Sequence, residues 1–572
     1  MPEYLAPGVY VEETSFRAKS IEGVSTSTTG FVGPTRKGPV GDTPEIITSF
    51  GDFQRIYGGL DNLTGGLNYV AHAVRNYFDN GGSRLYVSRA FLPAGATDAG
   101  VAASALVVTG ATAADQARFV ARFPGAAGNG RLVLRQADAP ATVRSMGTAV
   151  EGTLLRVGGG APTFFVKRGA AWLDSGGTAL DLTGLAPTAA PAGGADFLTL
   201  TIITEDADGN DKTFDDLGFD GRHPRWVGHV LAATPSRRTD ALENLYALEI
   251  GANVTAFALR SGLFPAGTER IVALTGGNDG AEPTQAAYEA ALGPLAALED
   301  VSIVAAPGHS ALTDFQGIQG ALIGHAERRR AYRIAVLDTP PEQAISEARE
   351  VRSRIDSTYA ALYYPWVVVA NPLARPGDDS IPREITLPPS GFVCGIYARN
   401  DIERGVFKAP ANEIVRGALR FESDVNFAQQ EVLNPIGVNC LRYLSGRGYR
   451  LWGARTASSD PEWKYVNVRR YFNYLEASID RSTQWAVFEP NGERLWANIR
   501  ETVESFLYGE WRSGALLGAS TKEAFFVRCD RSTMTQTDID NGRLVCLIGV
   551  AVVKPAEFVI FRIGQKTADA RS

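Results

Sequence analysis

Histidine, cysteine and methionine are scarce in this 572-residue chain, at 5, 4 and 3 copies. The cysteines, Cys394, Cys440, Cys529 and Cys546, form no CxxC pair and no metal-finger spacing. That excludes a disulfide framework and a zinc module, and points to assembly in a reducing cytoplasm. The histidines, at 72, 223, 229, 309 and 325, do not cluster. "GHAERRR" around His325 lacks the HExxH of a zinc protease, so no metal site is expected. "APGHSA" sets His309 beside Ser310, but sequence neighbours are badly placed to form a nucleophile–base pair, and no GxSxG elbow exists. "LTGGNDG" and "PGAAGNG" are neither GxGxxG after a strand nor a Walker loop, so they read as turns and no cofactor is expected. The longest apolar run, "LVCLIGVAVV", is strand-sized and far short of the roughly 20 residues of a membrane helix. "MPEYLAPGVY" has no basic region followed by an apolar core, so no signal peptide is expected. Nor is positive charge in excess. The net charge of −7 argues against a general nucleic-acid binder.

What remains is ample core material. Hydrophobic residues make up 45% and charged residues 21%, the balance of a globular protein, and the length predicts two to four domains. Charge is uneven along the chain. Residues 441–572 hold 19 Lys+Arg against 15 Asp+Glu, or +4, which leaves −11 of the total for residues 1–440. An acidic partner at the C-terminal end fits that asymmetry.

Gly and Pro punctuation in residues 30–60 reads as short strands and turns. "LNYVAHAVRNYFDNGG" predicts a helix stopped by a glycine pair, and "SRLYVSRA" a strand. From Phe91 to about residue 265, Ala, Gly and Thr dominate and short alternating runs recur, predicting a mainly β insertion of sandwich type. Strands and helices then alternate: "RIVALTGG", a helix from 283, "DVSIVAAPG", a helix from 311, "YRIAVLD", a helix after Pro340 and Pro341, and "YPWVVVANP" closing the series. This spacing means a doubly wound parallel α/β sheet, which the insertion interrupts. An enzyme would carry its site at the carboxyl ends of those strands, and no catalytic, cofactor or metal constellation stands there.

The last third differs. "PPSGFVCGIYARNDIERGVFKAPANEIVRGA" reads as a long irregular stretch. Arg442, Arg447, Arg450, Arg455, Arg469 and Arg470 then interleave with Tyr443, Tyr449, Trp452, Trp463 and Tyr465. Base stacking is one reading; the period-two alternation of "YRLWGAR" favours a core sheet whose arginines pair with acidic neighbours at subunit contacts. "PNGERLWANIRETVESFLYGEW" predicts an amphipathic helix with Asn491 as N-cap, apolar along Leu495, Ile499, Val503, Phe506 and Leu507, and polar through Arg494, Asn498, Arg500, Glu501 and Glu504.

Both ends carry apolar extended segments that need cover: "PGVYVEE" at residues 7–13 and "AEFVIFRIG" at 556–564. "SIEGVSTSTTG" follows the first and "VVKPA" precedes the second, both hinge-like in composition. With "PPSGFVCGIYARND", "GVFKAPAN", "NPIGVN", "GRGYRLWGARTASSDPEWKYVNVRR" and "EFVIFRI", supported by "GFVGPTRKGPVGDTP" and "GGSRLYVSRA", the chain resembles the contractile tail sheath family of phages and phage-derived bacterial contractile injection systems.

The resemblance implies a non-enzymatic structural subunit that stacks as hexameric rings around an inner tube and contracts to drive it through a target envelope. Hydrolase and nucleic-acid-binding coat protein are the alternatives from other classes. It implies a multidomain α/β and α+β fold. The parts are an N-terminal arm and linker (1–25), the first part of the α/β domain (26–90), an outward-facing insertion (91–265), the subtilisin-like α/β domain (266–440), an inner C-terminal domain (441–555) and a C-terminal arm and tail (556–572). Val9, Tyr10, Val11, Glu12, Phe558, Val559, Ile560, Phe561 and Ile563 would exchange strands between subunits, an addition of backbone ladders in trans. Arg494, Asn498, Arg500 and Glu501 would meet the tube. Implied partners are further copies of the chain, the tube protein, and baseplate and tail-terminator proteins, without direct nucleic-acid contact or membrane insertion. The particle, a virion tail or an injection machine, would assemble in the bacterial host cytoplasm.

Overall fold

The computed structural model describes residues 20–158 and 162–562. Val9, Tyr10, Val11, Glu12 and Ile563 lie outside the described residues.

A nine-stranded sheet organises the molecule. In spatial order its strands are Glu413–Ile414, Gly448–Trp452, Val438–Leu444, Ala360–Tyr364, Ile334–Asp338, Ile303–Ala305, Thr29–Gly33, Leu85–Arg89 and Ile46–Ile47. The run from Val438–Leu444 to Leu85–Arg89 is parallel throughout, with antiparallel strands only at the edges. These strands are short and apolar on both faces, as parallel strands covered twice must be. Successive residues feed opposite cores. Phe31, Ile303, Ala305 and Val336 pack under the helices Tyr69–Asp79 and Ser390–Arg404. Val32, Val304, Ala335 and Leu337 pack under Gln285–Ala296, Phe315–Ala326 and Ile345–Ser353.

Several sequence expectations change. "YPWVVVANP" does not close the parallel series: Val367–Ala370 joins Glu384–Leu387 and Ala418–Phe421 in a separate antiparallel sheet. The parallel strand is the preceding Ala360–Tyr364, which the sequence runs on from a helix without punctuation. "SGFVCGIYARNDIER", read as irregular, is the helix Ser390–Arg404, buried at every residue from Ser390 to Asn400. A helix apolar all round has no amphipathic period to detect. Its closeness to helix 69–79 depends on two glycines four apart. A Cβ at Gly391 would lie 2.8 Å from Ala73 Cα, and one at Gly395 2.5 Å from Tyr77 O.

The insertion also ends later than residue 265. Glu269–Ala273, expected to open the α/β series, pairs antiparallel with Arg131–Pro140 inside the insertion's seven-stranded sheet. Arg131–Pro140 in turn pairs along Ala195–Glu205, whose other edge is shared by Leu154–Val157 and Asp211–Leu217. A two-stranded ribbon, Ala117–Ala121 with Tyr246–Ile250, packs against this sheet over one core. The insertion leaves and rejoins the body at neighbouring points, where Leu92 and Ala281 form an antiparallel bridge. Arg36 pairs there with Asp208 and Asp279, and Lys37 with Asp206.

The boundary expected at 440/441 runs through the strand Val438–Leu444. Beyond the sheet, the helices Val466–Ser482 and Glu493–Arg512 and the two-stranded sheet Phe525–Arg528 with Leu547–Val550 share a further core. Among the described residues no helix is long and apolar enough to cross a membrane.

Candidate functional site

At the carboxyl ends of the parallel strands the structure places three buried polar groups. Asp338 Oδ1 accepts from Ser390 N at 2.7 Å and Oδ2 from Ser390 Oγ at 2.6 Å, so the carboxylate meets the first turn of helix 390–404. Burial pushes Asp338 up to about 7, against the pull of those two hydrogen bonds. His309 engages Ala306 O through Nδ1 at 2.6 Å, and burial holds its ring down to about 4. His309 Nε2 and Ser310 Oγ are buried and neither has a hydrogen-bond partner, so they do not bond each other. Among the described residues no group of acids, histidines and cysteines is arranged to hold a metal. The arrangement ties strands to helices and offers no nucleophile–base geometry.

The interleaved arginines are used internally. Arg442 donates to Val425 O and Gln430 Oε1, and Arg450 to Asn412 O. Arg469 lies 4.4 Å from the Tyr359 ring centroid and 4.1 Å from that of Trp463, and bonds to Asn473 and Glu476. Arg470 forms a buried pair with Asp401. The acidic partners of Arg469 and Arg470 sit in the same chain, Arg442 and Arg450 bond to its carbonyl and amide oxygens, and these four guanidinium groups are not free to stack on bases.

Helix 493–512 buries Leu495, Ile499, Val503 and Leu507, as its periodicity predicts. Asn491 is not its N-cap. Gly492 takes that place, while Asn491 Oδ1 accepts from Trp496 Nε1 at 2.7 Å and so holds the indole against the first turn. Arg494, Asn498 and Glu501 follow i, i+4, i+7 and share one face, with Arg494 and Glu501 exposed. Arg500 falls on another flank, half-buried, where its charge acts on Cys529 and Asp530.

The two-stranded sheet leaves the outer edge of Leu547–Val550 without a strand partner among the described residues. Beside it runs a groove of about 770 Å³ lined in part by Ile548, Val550, Phe472, Leu475 and Ile479 and in part by charged residues, Glu327, Arg328, Arg329, Arg330, Glu476 and Asp480. An unpaired strand edge is a template for an added strand. Phe558, Val559, Ile560 and Phe561, expected to be such a strand, stand 72%, 69%, 78% and 83% exposed, and this chain does not fold them onto its own sheet.

The residue before them is fixed. Glu557 Oε1 accepts from Arg455 Nε and Asn434 Nδ2, each at 2.8 Å; Oε2 accepts from Arg455 Nη2 at 2.6 Å and Tyr465 Oη at 3.1 Å. Burial raises the carboxyl, but the Arg455 and Asn434 hydrogen bonds outweigh it and hold Glu557 below the ordinary range. "VVKPA" is therefore no free hinge. Val553 donates to Ala515 O and Val552 bridges Leu516. "SIEGVSTSTTG" is likewise docked from Glu22 onward: Glu22 N and Val24 N donate to Ser482 Oγ and Ser478 Oγ, and Thr26 Oγ1 donates to Asp401 at 2.6 Å. Composition could not reveal this, because small polar residues serve a hinge and a docked strand equally well. An acid next to an apolar run, with an arginine inside "GARTASSD", was the one available signal.

Residues 281–457 match the phage tail sheath protein central domain and residues 458–566 the phage tail sheath C-terminal domain, a contiguous half of the chain. A putative prophage major tail sheath protein of Pseudomonas aeruginosa (strain UCBPP-PA14) is 27% identical over 270 residues, 46% of this chain. The chain spans 64% of that relative's length. In the contracted sheath complex of the extracellular contractile injection system PVC, the matching chain has a TM-score of 0.54 at 21% identity, with 99% of both chains covered. The contracted helical sheath of the anti-feeding prophage gives 0.53 at 22%, covering 98% of this chain and 99% of that one. At these identities the two structures share the fold. With both sheath domains matched in order over half of its length, the chain belongs to the contractile tail sheath family.

Proposed function

We propose that the chain is the structural subunit of a contractile sheath, in a phage tail or a phage-derived injection machine. It polymerises as stacked hexameric rings around an inner tube and contracts to drive that tube through a target envelope. The carrying observation is an unmatched pair on one chain: an exposed apolar segment at 558–561 and a strand edge at 547–550 that has no strand partner among the described residues and borders a partly apolar groove. One copy's segment completes another's sheet, and Val9, Tyr10, Val11 and Glu12 serve the same end from the N-terminal side. Each backbone hydrogen bond nets only about 0.5–1.5 kcal/mol. Several per arm, with the apolar side chains buried beside them, outweigh exposed polar contacts of about 0–1 kcal/mol between globular faces.

The α/β unit then works as scaffold, with a subtilisin-like outline and no catalysis. Helix 493–512 meets the acidic inner tube through Arg494, Asn498 and Glu501, and baseplate and terminator proteins cap the ends. The test is truncation after Glu557 and, separately, deletion of residues 1–13. Each product is expected to keep its circular dichroism spectrum and to sediment as a monomer. Long contractile sheaths from either, seen by electron microscopy, would rule out strand exchange.

A further inference from the structure

We propose that the helix Val466–Ser482 is the rigid strut through which pull on one arm passes to the other, with Glu557 and the Thr26–Asp401–Arg470 cluster as its fasteners. This rests on the strand-exchange reading above. The C-terminal arm is rooted at the start of the helix. Tyr465, the residue before its first turn, donates to Glu557, and Asn467 Nδ2 donates to Val553 O at 3.3 Å. Arg455, whose side chain is 6% exposed, grips both Glu557 oxygens from beneath.

The N-terminal segment is rooted along the rest of the same helix. Arg470 Nη2 donates to Thr26 O at 3.0 Å while its guanidinium pairs with Asp401, each side chain 3% exposed. Thr26 Oγ1 bonds the same carboxylate, and Arg470 lies 4.7 Å from the Tyr397 ring centroid. Further out, Ser478 and Ser482 accept from Val24 N and Glu22 N at 3.1 and 3.3 Å. Read from Thr26 back to Glu22, the segment travels toward the helix C-terminus. The two arms therefore leave from opposite ends of one element. From Tyr465 to Ser482 the rise of 1.5 Å per residue separates the exits by about 25 Å.

A helix hydrogen-bonded along its length and packed on its buried side through Tyr471 and Leu475 does not stretch under axial pull. The distance between exits is thus fixed by one element.

The test uses full-length Glu557→Ala and Glu557→Gln, and a second set, Thr26→Val with Ser478→Ala and Ser482→Ala, that leaves the buried ion pair intact. Amide exchange in the soluble chain should quicken at least tenfold over 552–557 in Glu557→Ala, partly rescued by Gln, and over 22–26 in the second set. Both sets should assemble extended sheaths, which on triggered contraction break several-fold more often than the parent in electron micrographs. Unchanged exchange, or quickened exchange with sheaths that contract whole, would overturn the proposal. So would folded variants that assemble nothing, because the roots would then serve docking rather than transmission. Deletion of residues 558–572 separates the two readings. Sheaths formed without that arm sink strand exchange, while the exchange rates at Glu557 still report the root.

Discussion

Asp338 carries the clearest pH signature. Its folded value of about 7 lies well above the ordinary carboxylate range, because burial penalises the charge. The fold therefore favours the protonated form. That contribution is fully present below the unfolded value near 4 and is lost as pH rises through 7. One pKa unit corresponds to about 1.36 kcal/mol, so the loss between pH 5 and 8 is on the order of 3 kcal/mol. Asp338→Asn keeps an acceptor for Ser390 N and adds a donor for Ser390 Oγ without the titration. Urea unfolding from pH 5 to 8 should show the parent losing about that much stability relative to the variant. Burial holds His72, His309 and His325 to about 4, 4 and 3, below the unfolded value of about 6.5, so they add stability as pH rises toward 6.5 in parent and variant alike, and the difference between the two curves isolates Asp338. Equal slopes in parent and variant would show that Asp338 stays in one state. None of this was legible in "YRIAVLD", where the aspartate reads as the end of a strand. The sequence does show that His309 and Ser310 are adjacent, and adjacency on a tight turn is what keeps them from meeting.

At the scale of elements, legibility followed solvent exposure. Helix 493–512 was readable because one side is wet and the other dry; helix 390–404 was not, because both sides are dry. The strand Ala360–Tyr364 was hidden for a different reason: no glycine or proline marks the turn at 354–359 between it and the preceding helix. The charged flank of helix 493–512 was read as one surface, but the structure divides it. Arg494 is exposed, whereas Arg500 is half-buried and its charge acts on Asp530. Charge reversal should therefore have two different effects. Arg494→Glu is expected to leave the melting temperature unchanged and to yield sheaths that form without tubes or contract early. Arg500→Glu should lower subunit stability slightly by bringing a like charge near Asp530. Calorimetry of the soluble subunit and micrographs of assembled particles check the two halves. Normal extended particles from Arg494→Glu would remove that residue from the tube contact.

At the scale of the whole molecule, the sequence showed where composition changes, and the structure shows where connectivity changes. The insertion's cores draw only on residues from Ala102 to Leu274, and the two cores flanking the nine-stranded sheet draw on none of them. Because Leu92 and Ala281 are bridged, the body already holds the two cut ends side by side, as a hairpin does. The strand Glu269–Ala273 misled the sequence reading because its apolar pattern is that of any half-buried strand, and only pairing tells which sheet it serves. Replacing residues 94–278 with Gly-Ser should therefore leave a folded α/β and C-terminal body. The main loss is at the neck. Arg36 and Lys37 would lose Asp208 and Asp206 but gain water, and Arg89 would lose Pro124 O while keeping Gly38 O. A cost of about 1–3 kcal/mol, the scale of a buried hydrogen-bonding group left without its partner, is expected rather than collapse. Circular dichroism and calorimetry should show one cooperative transition fewer with the body's melting temperature lowered by several degrees. If sheath contacts lie in the arms and body, the shortened subunit should still polymerise, into a thinner sleeve. A shortened chain that is insoluble, or that melts without cooperativity, would mean that the insertion is part of the body's core after all.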